Sequence, residues 1–205
     1  MEMKKQPKSE APGPVRVIRI VMDKDGVNVK YPKVVGMRNK QAEASMNKAM
    51  LALSRQMTSS LKKEAEAAVE GRYDIVFNDR GLLSVLFEQF PTGAKNERMI
   101  RRSLTFQTDT GSILMFRNLF KEGSYYKTKL SRLVREEIKE KAMTLPDDFT
   151  GVKDDQEYYL TSEGIVIFDG GCREFIFPYS GSVQLLASGP LAGFTEESVT
   201  KVKRL

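Results

Sequence analysis

Apolar and basic residues alternate through VRVIRIVM (15–22), as they do in a half-buried strand. Asp23-Lys24-Asp25-Gly26 reads as a turn, and VNVKYPKVVG continues as a second strand with Pro32 near its end. From about Asn39 the period lengthens. Ala42, Met46, Ala49, Met50, Leu53, Met57 and Leu61 recur at three- and four-residue steps, one stripe of a helix expected to reach Ala68 and close on Gly71. RYDIVFND (72–79) and LLSVLFEQF (82–90) return to strand character and predict a hairpin around Asn78-Asp79-Arg80-Gly81. SLTFQTDTGSILMF (103–116) predicts a second hairpin, turning at Asp109-Thr110-Gly111. After NLFKEGSYY comes another amphipathic helix, with Tyr126, Leu130, Leu133, Val134, Ile138 and Met143 assigned to its inner face. EYYLTSEGIVIFDGGCREFIFPYSGSVQLL (157–186) adds two or three strands, turning at Thr161–Gly164 and Asp169–Gly171.

Strands and helices in that order imply an α+β fold: an antiparallel β-sheet with two long helices packed on one side. Residues 1–14 are polar and proline-containing and read as a disordered leader or linker. The domain is expected over 15–187, and 188–205 reads as a C-terminal tail.

Composition narrows what such a domain does. The chain has 205 residues, 40% hydrophobic and 29% charged, the make-up of a globular protein that folds without staples. No apolar run approaches the ~20 residues that span a bilayer. The start has lysines but no apolar stretch of a secretory signal. Two settings follow: a cytosolic protein, or one whose export or anchor segment precedes this chain. Cys172 is a lone cysteine and says nothing of compartment, and Arg173 beside it supplies no base. The chain has no histidine, which excludes Ser-His and Cys-His nucleophiles and His-ligated metals, so neither an enzyme nor a cofactor is expected. Its net charge of +6 suits an anionic partner. Nucleic acid is not expected, because no helix-turn-helix, zinc finger or aromatic-basic motif is present.

Other motifs dissolve on inspection. Ser59-Ser60-Leu61-Lys62-Lys63 has the Ser-x-x-Lys spacing twice, but late in a helix and without the companion elements of penicillin-recognising enzymes. Asp23-x-Asp25-Gly26 opens like a calcium loop, yet no glutamate follows at the required spacing. The helix methionines read as core rather than as an adaptable groove. Tyr158, Tyr159 and Tyr179 would stack sugars only if exposed in a cleft; strand packing is the plainer account.

Five stretches fall in a distinctive order: YPKVVGMRN, FNDRGLLSVLFEQFPTGAKN, SLTFQTDTGSILMFRNLFKEG, EYYLTSEGIVIF and FIFPYS. Together, over roughly 15–187, they resemble the RsiV/PdaC-like extracytoplasmic domain of RsiV-type anti-sigma factors and PdaC-type peptidoglycan deacetylases. The resemblance implies a non-catalytic binding or sensor module of the bacterial cell envelope, extracytoplasmic, with a wall-associated or protein ligand. The alternative it carries is an accessory domain of a peptidoglycan-modifying enzyme. In the RsiV branch the ligand is lysozyme, which is cationic. This basic chain would repel lysozyme unless Glu88, Asp147, Asp148, Asp154 and Asp155 form an acidic patch.

Where the family usually reads Gly-Gly-Ala-His-Gly, this chain has Thr92-Gly93-Ala94-Lys95-Asn96, without the histidine. With Arg98 and Arg101 those residues make the candidate ligand-binding loop, cations for an anion and Asn96 for hydrogen bonds. The plainer reading of Lys95, Arg98, Arg101 and Arg102 is a solvated edge that discourages strand-to-strand pairing. DGGCRE (169–174) is a shorter loop than its family counterpart, and residues 169–173 are the second candidate contact.

Overall fold

A computed structural model describes residues 13–65, 68–93, 98–141, 149–168, 173–182, 186 and 191. Residues 1–12 of the leader expected at 1–14, Met143 and residues 169–172 lie outside them.

Strands β1 (Arg16–Lys24) and β2 (Val27–Val35) form the first hairpin. Asp25 and Gly26 both have positive φ, the two-residue turn that suits strand twist, so the Asp-x-Asp-Gly stretch is explained without calcium. Helix α1 (Lys40–Ala65) crosses to β3 (Ala68–Asp79), which lies parallel to β2. Asn39 caps α1: its side-chain oxygen accepts from the N–H groups of Gln41 and Ala42, both at 3.1 Å. Glu43 accepts from the Met37 N–H at 2.7 Å, which holds its carboxyl below the usual range.

Gly71 does not close α1. It sits inside β3, where a Cβ would meet Val29 and Gln89 side-chain atoms at 2.9 Å. Glycine serves close approach of the strands there, not a helix stop.

β4 (Leu82–Thr92) and β5 (Ile100–Gln107) complete a five-stranded mixed sheet in the order β1-β2-β3-β4-β5. The turn between β3 and β4 repeats the first hairpin's device, with positive φ at Arg80 and Gly81. The expected second hairpin shrinks to an isolated bridge between Phe106 and Ile113. The reason is competition. Ser103 of β5 gives its backbone N–H to Glu157 at 3.0 Å, and the returning chain instead buries Phe116 and Leu119 in a short 3-10 helix.

Helix α2 (Tyr126–Glu140) leads to a second sheet, β6 (Tyr158–Leu160), β7 (Gly164–Phe168) and β8 (Glu174–Pro178), all antiparallel. The α+β class with two packed helices is present, but each helix has its own sheet.

Alternation along the strands shows how the layers stack. Leu83, Val85 and Phe87 of β4 pack with Met46, Met50 and Met57 of α1. Leu86, from the opposite face, meets Tyr159, Val166 and Phe168 of the small sheet. That sheet's other face, with Leu160, Ile165, Ile167 and Phe175, packs with Leu130, Val134 and Ile138 of α2. β4 is therefore buried on both faces. Leu133, assigned to the inner face of α2, is instead exposed. Leu191, beyond the boundary expected at 187, is buried in the α2 core.

Candidate functional site

Strand pairing brings four chain segments to one end of the large sheet. Lys24 pairs with Val27, Val27 with Val69, Ala68 with Thr92, and Gln89 with Ile100. The last turns of α1 arrive at the same end. Lys62 Nζ donates to the Asp25 carbonyl at 2.7 Å, and Leu61 packs with Val29 and Val69.

Between α1 and the end of β1 lies an open cleft of about 650 Å³. Met22 and Val27 give it apolar surface; Lys24, Arg55, Lys62 and Lys63 surround that surface with cations. Asp23 also lines it, so four cations less one carboxylate leave about three net positive charges. Thr58, another lining residue, ties the cleft to the core. Its hydroxyl lies 2.9 Å from buried Gln89 Oε1, and the Gln89 amide donates to the Ser54 carbonyl at 3.0 Å. Buried amides and hydroxyls matched this way fix the helix on the sheet.

The loop expected to bind ligand begins three strand steps away, about 14 Å across the same sheet end. Thr92 is half-buried, Gly93 has φ +79° with open space around it, and Arg98 is exposed. Ala94, Lys95 and Asn96 lie outside the described residues.

Arg101 points elsewhere. Its side chain is only 10% exposed, and its Nη2 donates to Glu174 Oε1 at 2.7 Å. Its Nε is 3.0 Å from Glu88 Oε1, an ion-pair contact without the alignment of a hydrogen bond. Burial would lower the guanidinium's pKa, and Glu174 and Glu88 outweigh burial to hold it raised. Arg72 pairs with the same Glu88 at 2.6 Å, Tyr159 donates to Glu174 at 2.9 Å, and Arg101 lies 5.4 Å over the Phe168 ring. Arg102 pairs with Glu157 at 3.2 Å. Arg101, buried, thus joins the two sheets rather than facing solvent, while Arg102 stays exposed beside its ion pair.

The remaining candidates sort by burial. Hydroxyls of Tyr158 and Tyr179 donate to the carbonyls of Leu114 and Thr161, and burial pushes both phenols up. Tyr159 is pushed up to about 12 by burial and Glu174. None of the three presents a ring face for a sugar. Ser59 and Lys62 share the cleft, but no hydrogen bond joins them among the described residues, and Lys62 is committed to Asp25. Among the described residues no group of three or more His, Cys, Asp or Glu is placed to hold a metal.

Among the described acids, Glu88 and Asp154 are each already engaged by cations. Glu88 is buried between two arginines, and Asp154 takes the Tyr126 hydroxyl and Lys127 at the start of α2. Asp147 and Asp148 lie outside the described residues. A different acidic surface exists. Glu136, Glu137 and Glu140 of α2 line a second cleft, about 520 Å³, with exposed Leu133 and Ile176. Lys141 also lines it and pairs with Glu137, and Arg132 pairs with Glu136, so about two net negative charges remain among the lining residues.

Sequence reasoning missed the α1 cleft. Arg55, Ser59, Lys62 and Lys63 fall at i, i+4, i+7 and i+8, a visible helix face. What was not visible is that the first hairpin ends beside that face.

No protein-family model matches the chain. It is 25% identical over 183 residues to the anti-sigma-V factor RsiV of Bacillus subtilis (strain 168), covering 76% of this chain and 64% of that protein. In fold it is similar to a DUF3298 family member from Bacteroides fragilis, with a TM-score of 0.63 at 13% identity, over 92% of this chain and all of the other. A DUF3298 family protein from Pseudomonas aeruginosa PAO1 is similar too, with a TM-score of 0.60 at 11% identity, over 86% and 96%. The two solved structures share this chain's fold, and the sequence similarity to RsiV is distant. No helix among the described residues is long and apolar enough to cross a membrane.

Proposed function

We propose that the chain is a non-catalytic binding or sensor module of the bacterial cell envelope, facing outside the cytoplasm. Its ligand is a wall-associated or protein partner, met at the sheet end that carries the α1 cleft and the 92–98 loop. The observation that carries this reading is the sequence similarity to an anti-sigma factor over three quarters of the chain.

Saturable binding to purified wall fragments or to an envelope protein is the expected result when the purified chain is titrated against both. Arg98→Glu combined with Lys63→Glu should weaken that binding, because both residues are exposed at the sheet end. A folded chain that binds neither preparation sinks the proposal.

A second reading is favoured by the acidic α2 cleft with its exposed Leu133 and Ile176. There a cationic protein such as lysozyme would dock, despite the basic net charge. Lysozyme capture that falls steeply with salt, and is lost in Glu136→Lys with Glu140→Lys, is what this reading requires. Capture unaffected by those changes places lysozyme elsewhere.

A further inference from the structure

We infer that the α1 cleft and the edge of β1 together receive an extended acidic polypeptide segment carrying an apolar side chain. The inference deepens the reading of the chain as a binding module by naming the chemistry of one partner.

Three observations converge on it. First, the cations are spread out rather than focused. Arg55 and Lys63 stand eight residues apart on α1, a rise of about 12 Å. A single phosphate would be gripped by cations around one point; a row of carboxylates fits a row of cations. Among the described residues neither Arg55 nor Lys63 has an ion-pair partner, so their charge is available. Second, Met22 and Val27 lie between the cations, half-buried, and leave apolar surface that a sugar-phosphate chain would not use. A leucine or phenylalanine side chain would cover it.

Third, β1 is the outermost strand of its sheet. Among the described residues no strand pairs with its outer edge, which can take another strand by backbone hydrogen bonds, the usual way an extended peptide is held. Arg16, Arg19 and Lys24 along β1 are exposed. Such cations repel basic strands and protect the edge from indiscriminate pairing, while they attract an acidic strand. Asp23 faces the same cleft and sets a limit: a strand carrying acid directly opposite it is disfavoured.

The test uses the full chain and a labelled eight-residue peptide of glutamates around one leucine. Anisotropy titrations at low salt should give saturable binding. Replacing the glutamates by glutamine, or the leucine by serine, should weaken it, as should Arg55→Glu with Lys63→Glu, each by about tenfold or more. Both substituted residues are exposed, so circular dichroism should show the fold unchanged. No saturable binding, or binding indifferent to the double substitution, overturns the inference. So does displacement by polyphosphate or phosphatidylglycerol vesicles when the leucine makes no difference, which would assign the cleft to a non-peptide anion. Dimerisation abolished by the same substitutions would assign it to a second copy and overturn the inference as well. Any of these failures leaves wall-fragment binding as the separate test of the module itself.

Discussion

Arg101 shows how far a side chain's role depends on what stands opposite it. In sequence it belongs to a basic loop; in the fold it holds Glu88 of one sheet and Glu174 of the other. Arg101→Ala takes one partner from each of two carboxylates, leaving Glu88 to Arg72 and Glu174 to Tyr159, and should cost about 2 kcal/mol in urea unfolding. Arg72→Ala, at the exposed end of the same network, should cost under about 1 kcal/mol. Equal effects would mean that the network does not join the sheets. The buried tyrosines give a pH signature. Tyr159, ordinarily near 10, is held at about 12, and Tyr158 and Tyr179 are also raised. A raised phenol favours the fold fully below its unfolded value and loses that contribution as the pH climbs through the folded one. Stability should therefore be insensitive to these groups below pH 10 and fall between 10 and 12. Denaturant midpoints across that window check it, with phenolate absorbance appearing as the protein unfolds.

Elements were more legible than their contacts. Period two and period 3.6 placed both hairpin strands at the N-terminus, the two helices and the closing strands, because each element shows a patterned face to one layer. The expected helix stop at Gly71 failed because a lone glycine signals close approach as readily as a cap. The shortened second hairpin was hidden because Glu157, some fifty residues on, takes the β5 edge. Gly111, read only as a turn residue, touches α1. A Cβ there would sit 2.5 Å from the Ala42 carbonyl oxygen, and φ is +72°. Gly111→Ala should cost about 2 kcal/mol or more, measured by thermal unfolding. Asn39→Ala removes the α1 cap and the bond to the Asp109 carbonyl, and should cost about 1 kcal/mol or more by the same measurement. A silent Asn39→Ala would mean that the start of α1 is held by packing alone.

At the scale of the whole molecule, two helices enclose two sheets, and the charged clefts fall where a helix meets an outer strand. The basic cleft joins α1 to β1, and the acidic one joins α2 to β8. The basic cleft required the fold, since its parts come from residues 22–27 and 55–63. The central claim concerns where such a module works. Fractionating cells that make the native protein, and locating it with an antibody, tests that most directly. The account predicts protein outside the cytoplasm, associated with the envelope and accessible to added protease in cells stripped of their wall. Protein confined to the soluble cytosolic fraction would contradict it.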